Sequence, residues 1–284
     1  MSLNIKNNPK IVNYLLVLAS AVLVVIWTAL WRGADANVTV ADATISFLDV
    51  GQGDAALLSL PQSTQVLIDA GRGNQTVERV AAAMPFFDRT IEFVVISHFD
   101  SDHVGGLDEV MRSYDIEQII IARAQKNQEE AEELAALAER EEIKVRYVSR
   151  SDTVYFYPPV KGEVLWPEQD TAGLSDNDLS LVMQIKGLNK KVLMMGDIEN
   201  KGQIYLFAKN EITALDTDIL KFPHHGAGGA FNEKLFDITT PEKVIISVGK
   251  NSYGHPSGDL LEFLKKRAIE FKRTDEAGTI ELDL

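Results

Sequence analysis

The stretch Ile96-Ser97-His98-Phe99-Asp100-Ser101-Asp102-His103-Val104-Gly105-Gly106 decides the reading of this chain. It follows the apolar run IEFVVI (91–96) and precedes a helical pattern. That places it on one turn at the C-terminal edge of a sheet, where α/β sheets build their sites. Two imidazoles and two carboxylates fall within six residues, offering nitrogen and oxygen donors to more than one cation. Without a cation between them the carboxylates would repel one another. Taken singly, Asp100 or Asp102 suits a helix N-cap and a lone histidine suits a packed core. The four together favour metal ligation. Gly105 and Gly106 let the next helix pack close, and its N-terminal amides are expected to face the site.

The other three of the five histidines also fall at strand ends. His224 and His225 follow DILKFP (218–223), and His255 follows VIISVGKNSYG (244–254). Met195-Gly196-Asp197 closes the strand KVLMM (191–195). Glycine allows a tight turn there, and an Asp at that edge can bridge two cations. A Gly-Asp after a strand is otherwise a common turn, so its weight comes from the company it keeps.

Around this set, short runs rich in β-branched residues alternate with helical stretches, and two hairpin-like strands come before the βα units. The expected strands are TISFLDV, AALLSL, QVLIDAG, IEFVVIS, EQIIIA, KVRYV, GEVLWP, LSLVMQI, KVLMMGD, DILKFP, KVIISVG and TIELDL. Helices are expected over VERVAAAM (77–84), 105–114 and 125–142, the last presenting a solvated acidic face. The two strand-rich halves could mirror each other. Of 284 residues, 45% are hydrophobic and 25% charged, as in an ordinary globular protein. The formal net charge of −14 opposes unspecific adhesion to nucleic acid or anionic lipid, so a polyanionic substrate has to be drawn in locally, by metal. With no cysteine there is neither a disulfide nor a thiolate site.

Residues 11–30, IVNYLLVLASAVLVVIWTAL, carry no charge and have the length an α-helix needs to cross a bilayer, about 20 residues. Lys6 and Lys10 precede the run and Trp27 and Trp31 end it, which places the N-terminus inside and the rest outside the cytoplasm. Ala34-Asp35-Ala36 has the form of a signal-cleavage site, so a secreted product is the competing expectation. The expected organisation is a cytoplasmic tail (1–10), an anchor or signal segment (11–31), a linker (32–42) and one catalytic domain (43–284).

The HFDSDH motif resembles the HxHxDH signature of the metallo-β-lactamase superfamily in its HxDxDH variant. With FLDVGQGDA (47–55), LIDAG (67–71), MGD (195–197), PHHG (223–226), YGHP (253–256) and RTDEAGTI (273–280), the chain is similar to the hydrolase domain of ComEC-type competence proteins. The resemblance implies an α/β fold, a four-layer αβ/βα sandwich, here preceded by one N-terminal transmembrane helix. It implies two divalent ions, zinc first and manganese as the alternative. His98 and Asp100 would serve one metal, Asp102 and His103 the other, and Asp197 would bridge them. One of His224 and His225 completes the second site, with His224 slightly favoured. Asp69 would orient the ligands or simply form a turn, and Asp49, Gln52 and Asp54 would line the rim. No histidine lies between His103 and His224, so Asn177 and Asp178 are the nearest candidates to complete the first metal.

The implied activity is that of a phosphodiesterase or nuclease, in which a hydroxide between two metals attacks in line. Asp102, Asp197 and His255 would be the catalytic residues, His255 or the non-ligating partner of the His224/His225 pair assisting the leaving group. The partners implied are a phosphodiester, with DNA a candidate, and the membrane, through the N-terminal helix. No protein partner can be inferred. Hydrolysis of a carboxylic ester, lactone or β-lactam is the enzymatic alternative, and a metal-stabilised binding module the non-enzymatic one.

Overall fold

Successive side chains of a strand point to opposite faces, so a continuous apolar run has to be covered on both sides. The computed structural model describes residues 20–22, 43–169, 173–187 and 189–284. In it, Val94 and Ile96 pack with helices while Val95 faces a second sheet. The same split separates Leu67 from Val66 and Ile68, and Ile119 and Ile121 from Ile120.

The first sheet contains β1 (Thr44–Phe47), β2 (Ala56–Leu60), β3 (Thr64–Ile68), β4 (Thr90–Ile96), β5 (Asp115–Ala122) and β6 (Lys144–Val148). The second contains β7 (Thr153–Tyr157), β8 (Val160–Trp166), β9 (Val182–Lys186), β10 (Val192–Met194), β11 (Ile219–Lys221), β12 (Lys243–Ile246) and β13 (Glu270–Arg273). A last strand, β14 (Ile280–Asp283), returns to the first sheet beside β1. The orders are β14-β1-β2-β3-β4-β5-β6 and β13-β12-β11-β10-β9-β8-β7. Each sheet is mixed. Pairing is antiparallel up to β3 and parallel from β3 to β6 in the first, antiparallel from β7 to β10 and parallel from β10 to β13 in the second. The halves do repeat one scheme.

Helices α1 (Gln75–Ala83), α2 (Ser101–Val104), α3 (Leu107–Ser113) and α4 (Gln128–Arg140) belong to the first half. Val80, Leu107, Val110, Leu134 and Ala138 from three of these bury against the outer face of the first sheet. In the second half, α5 (Asn200–Lys209), α6 (Ile212–Leu215), α7 (Glu233–Thr239) and α8 (Gly258–Lys266) supply Leu206, Leu215, Leu235, Phe236, Leu260 and Leu264 to the outer face of the second sheet. The short α9 (Thr274–Ala277) leads into β14. Helices, sheet, sheet and helices are thus held by three apolar clusters.

Several expectations need correction. β7 and β13 are edge strands absent from the strand pattern: TVYFY runs into two prolines, and EFKR carries a single apolar residue. The helix expected over 105–114 runs from Leu107 to Ser113, and an unexpected one-turn helix, Ser101–Val104, precedes it across Gly105-Gly106. The amides of those glycines donate to Ser101 O and Gly71 O, so they do not face the site. Gly106 is required there for close approach, since a Cβ would stand 2.3 Å from Ala70 O. The expected anchor or signal segment and linker lie outside the described residues, apart from 20–22. No helix among the described residues is long and apolar enough to cross a membrane.

Candidate metal centre

Parallel pairing brings the C-terminal ends of β3 and β4, and of β10, β11 and β12, to loops that meet. Asp69 follows β3, the 97–103 loop follows β4, Asp197 follows β10, and His224 and His225 follow β11. Asp54 arrives from the other direction, just before β2. At Gly196 the backbone has φ +50°, and a Cβ would lie 2.8 Å from Ser180 Cβ and 3.0 Å from Ser97 Cβ. Glycine is therefore what lets the bridge-candidate Asp197 turn inward, where its N–H donates to Ser180 Oγ at 3.0 Å.

Three imidazoles are tied down by one nitrogen each. His98 Nδ1 is 3.0 Å from Ser97 Oγ, His103 Nδ1 is 2.9 Å from Asp69 Oδ2, and His225 Nδ1 is 2.9 Å from Ser247 O. Their Nε2 atoms, all buried, have no hydrogen-bond partner, and neither has Asp197 Oδ1. Yet His103 Nε2 lies 3.2 Å from Asp197 Oδ1, and His225 Nε2 lies 3.3 Å from Asp102 Oδ2 and 3.5 Å from Asp197 Oδ2. Atoms this close without hydrogen-bond geometry are the arrangement expected of ligands around a shared cation, with the outer nitrogen fixing each ring. The donor atoms of His98, His103 and Asp197 lie within 4.8 Å of one another, as do those of Asp102, His103 and His225.

Among the described residues, no such group includes Asp100 or His224. Asp100 is half exposed, 3.6 Å from His98 Nε2, at the N-terminus of α2. Of the histidine pair it is His225 that turns inward. His224 bonds Glu199 through Nδ1 at 3.0 Å, and its Nε2 is 3.9 Å from Asp197 Oδ2. Both have left-handed backbones, φ 49° and 51°, a conformation uncommon for non-glycine residues. Asp178 accepts from Gly202 N at 2.8 Å and its carbonyl from Trp166 Nε1, a role in holding α5 rather than a metal. Asp176 instead shares a small cavity with His98, and its Oδ1 is buried without a partner.

Burial opposes every charge here, and among His103, His225, Asp102 and Asp197 the opposite charges win. His225 is pushed up to about 10, burial working against Asp197 and Asp54. His103 is raised well above its ordinary value, with Asp197 and Asp69 outweighing burial. Asp102 is lowered to about 2, with His225 and His103 overcoming burial. Asp197 is held well below the usual carboxylate range by the same two imidazoles against its own burial. For His255, burial and the neighbouring His224 push the value down.

Asp54 is not on the rim. It is buried, its Oδ2 paired to the ammonium of Lys221 and its Oδ1 3.2 Å from His225 Nδ1. Burial raises its pKa, but Lys221 and His225 bring it below the usual value. Lys221 escaped the sequence reading, although a lone lysine inside DILKFP, a strand apolar on both faces, was the signal. Asp49 pairs with Arg79 at 3.4 Å, away from the ligand cluster. Gln52 lines the open groove of about 320 Å³ over the cluster, together with Arg72, Tyr253, His224 and His255.

The Metallo-beta-lactamase superfamily model matches residues 48–250. The chain is 27% identical over 259 residues to "ComE operon protein 3" of Bacillus subtilis (strain 168), which covers 84% of this chain and 33% of that protein. It thus spans about a third of the length of that relative. The metallo-beta-lactamase fold protein YhfI from Bacillus subtilis superposes with a TM-score of 0.58 at 12% identity, over 85% of this chain and 100% of that one. A diphosphatase from the PhnP family gives a TM-score of 0.53 at 12% identity, over 85% and 98%. At these identities the two structures share the fold.

Proposed function

The chain belongs to the metallo-beta-lactamase superfamily, and on that premise we propose that it is a hydrolase of phosphodiesters dependent on two divalent metal ions. One observation carries the reading: three ring nitrogens and a carboxylate oxygen, all buried and all without hydrogen-bond partners, converge from three separate loops. Such atoms are costly to leave unpaired unless a cation takes them. His98, His103 and Asp197 would hold one ion, and Asp102 and His225, beside the same Asp197, the other.

Bound there, the ions would acidify a water and take up negative charge on the phosphoryl oxygens. The chain's own groups do the rest. Asp69, Ser97 and Ser247 orient the rings so that each presents Nε2. Arg72, the one Lys or Arg among the groove's lining residues, donates to Ser101 Oγ at 3.1 Å and would be the group to hold a phosphoryl oxygen. His224, steadied by Glu199, and His255 border the same groove, where either can pass a proton to a leaving oxygen. Zinc suits the imidazoles and manganese the oxygen-rich remainder. The diphosphatase among the structural neighbours adds support for phosphoryl chemistry.

The test uses the full-length chain stripped by chelator and reloaded with Zn2+ or Mn2+. It is offered a chromogenic phosphodiester, single-stranded and duplex DNA, and a lactone. Metal-dependent cleavage of the diesters is expected. Turnover confined to the lactone would replace this reading with acyl hydrolysis, and no turnover with tight metal binding would leave a binding module.

The uncharged run 11–30 and Lys6 and Lys10 support placing the domain outside the cytoplasm, anchored or released. A protease added to intact cells should then reach it. Protection until lysis would refute that placement.

A further inference from the structure

Behind the imidazoles, on the side of Nδ1, lies a second polar chamber between the two sheets. Asp54, Asp69, Ser97, Lys221 and Ser247 line it, within otherwise apolar walls. Of these lining residues, Asp54 enters two groups of donor atoms close enough to hold a cation, one with Asp69 and His103 and one with Asp197 and His225, whose rings and carboxylate lie on the chamber's front side. Asp54 belongs to both, and its Oδ1 is buried without a hydrogen-bond partner. The cation present is the chain's own. Lys221 is 1% exposed, its stem runs from β11 into the space between the sheets, and its ammonium rests on Asp54 Oδ2. The cavity beside it measures about 10 Å³, room for roughly one water-sized guest.

A buried lysine is rarely kept without a reason, because desolvating an ammonium is costly even when it is paired. Here the pairing has a geometric consequence. Asp54 Oδ1 is left 3.2 Å from His225 Nδ1 and 4.0 Å separates Asp54 Oδ2 from His103 Nδ1, so the carboxylate stands behind both rings rather than among their inward Nε2 atoms. We propose that Lys221 is the resident cation of this rear chamber: it keeps Asp54 a positioning residue behind His225 and His103, and takes the place that a third divalent ion would otherwise fill. The centre is thereby limited to two exchangeable ions.

The proposal rests on the two-metal reading above, and its test reads ions rather than turnover. The full-length chain, stripped by chelator, is titrated with Mn2+ by calorimetry and with Co2+ by absorption, as wild type, Asp54→Asn, Lys221→Met and the double variant. Wild type and Asp54→Asn should each take two ions, Asp54→Asn more weakly because the rings of His225 and His103 lose the carboxylate behind them. Lys221→Met should take one ion more, and the double variant should return to two. Loss of an ion in Asp54→Asn would make Asp54 a ligand and overturn the proposal. So would a Lys221→Met chain that binds two ions with the wild-type spectrum. Should Lys221→Met not fold without metal, Mn2+ and the added Asp54→Asn should each restore it, and rescue by neither would also overturn the idea. Wild type taking up less than one ion would sink the two-metal reading and this proposal together, whereas the other failures leave that reading standing.

Discussion

His103 Nδ1 lies 2.9 Å from Asp69 Oδ2, and the same carboxylate accepts from Ser97 N and Ser97 Oγ at 2.7 Å each. One buried side chain thus fixes both the ring of His103 and the start of the loop that carries His98. Asp69 does so from a left-handed backbone with φ 57°, so it is the turn former and the orienting group at once.

Asp69→Asn keeps size but presents an NH2 to one of these donors. Metal affinity is expected to drop about 10–100-fold, the usual cost of losing an orienting carboxylate. Calorimetric titration measures it, and circular dichroism checks that the fold persists. Unchanged affinity would reduce Asp69 to a turn residue.

Asp197→Asn removes the charge from the carboxylate that faces both His103 and His225. Turnover should fall by several orders of magnitude while the fold is retained, because the ions that acidify the water are no longer held together. If Asp197 were only a turn residue, Asn would serve as well and activity would stay near wild type.

His225→Ala and His224→Ala separate the two neighbours. The first should cost one bound ion, counted by elemental analysis, since His225 Nε2 faces Asp102 and Asp197. The second should keep both ions and slow turnover. The reverse pattern would restore His224 as the ligand.

The chelated chain should lose stability as the medium turns alkaline. His225 rises from 6.5 to about 10 on folding, so its contribution is complete below pH 6.5 and disappears as pH climbs through about 10. Asp102 falls from 3.8 to about 2, so its contribution is present above pH 3.8 and is lost as pH drops through about 2. Between these limits the melting temperature should be flat up to about pH 6.5 and then decline. The gain on adding metal should grow over the same alkaline range, because ions and protons compete for His225. A metal-induced gain independent of pH would contradict the raised imidazole.

Much of this was legible in one dimension. A period-two or continuously apolar pattern marks strands whatever their neighbours, so twelve stretches could be read directly, including every strand that delivers a ligand candidate. His98, Asp102, His103 and Asp197 stand out only as a set, because each alone could be a cap, a turn or a core residue while together they put nitrogen and oxygen donors at the ends of apolar runs. The edge strands β7 and β13 were hidden because an edge buries only part of its surface and so leaves a weak pattern.

What the chain order could not decide was contact between distant segments. Whether His224 or His225 turns inward depends on two left-handed residues and on Ser247 and Glu199, which catch one ring each. That Asp54 sits beneath the centre follows from Lys221, which is 167 positions away along the chain and is brought to it by the packing of one sheet on the other. Local pattern determines which face of an element is apolar, and so the fold. The partner of a buried charge is determined only when the sheets close over it, because in water neither Asp54 nor Lys221 needs the other.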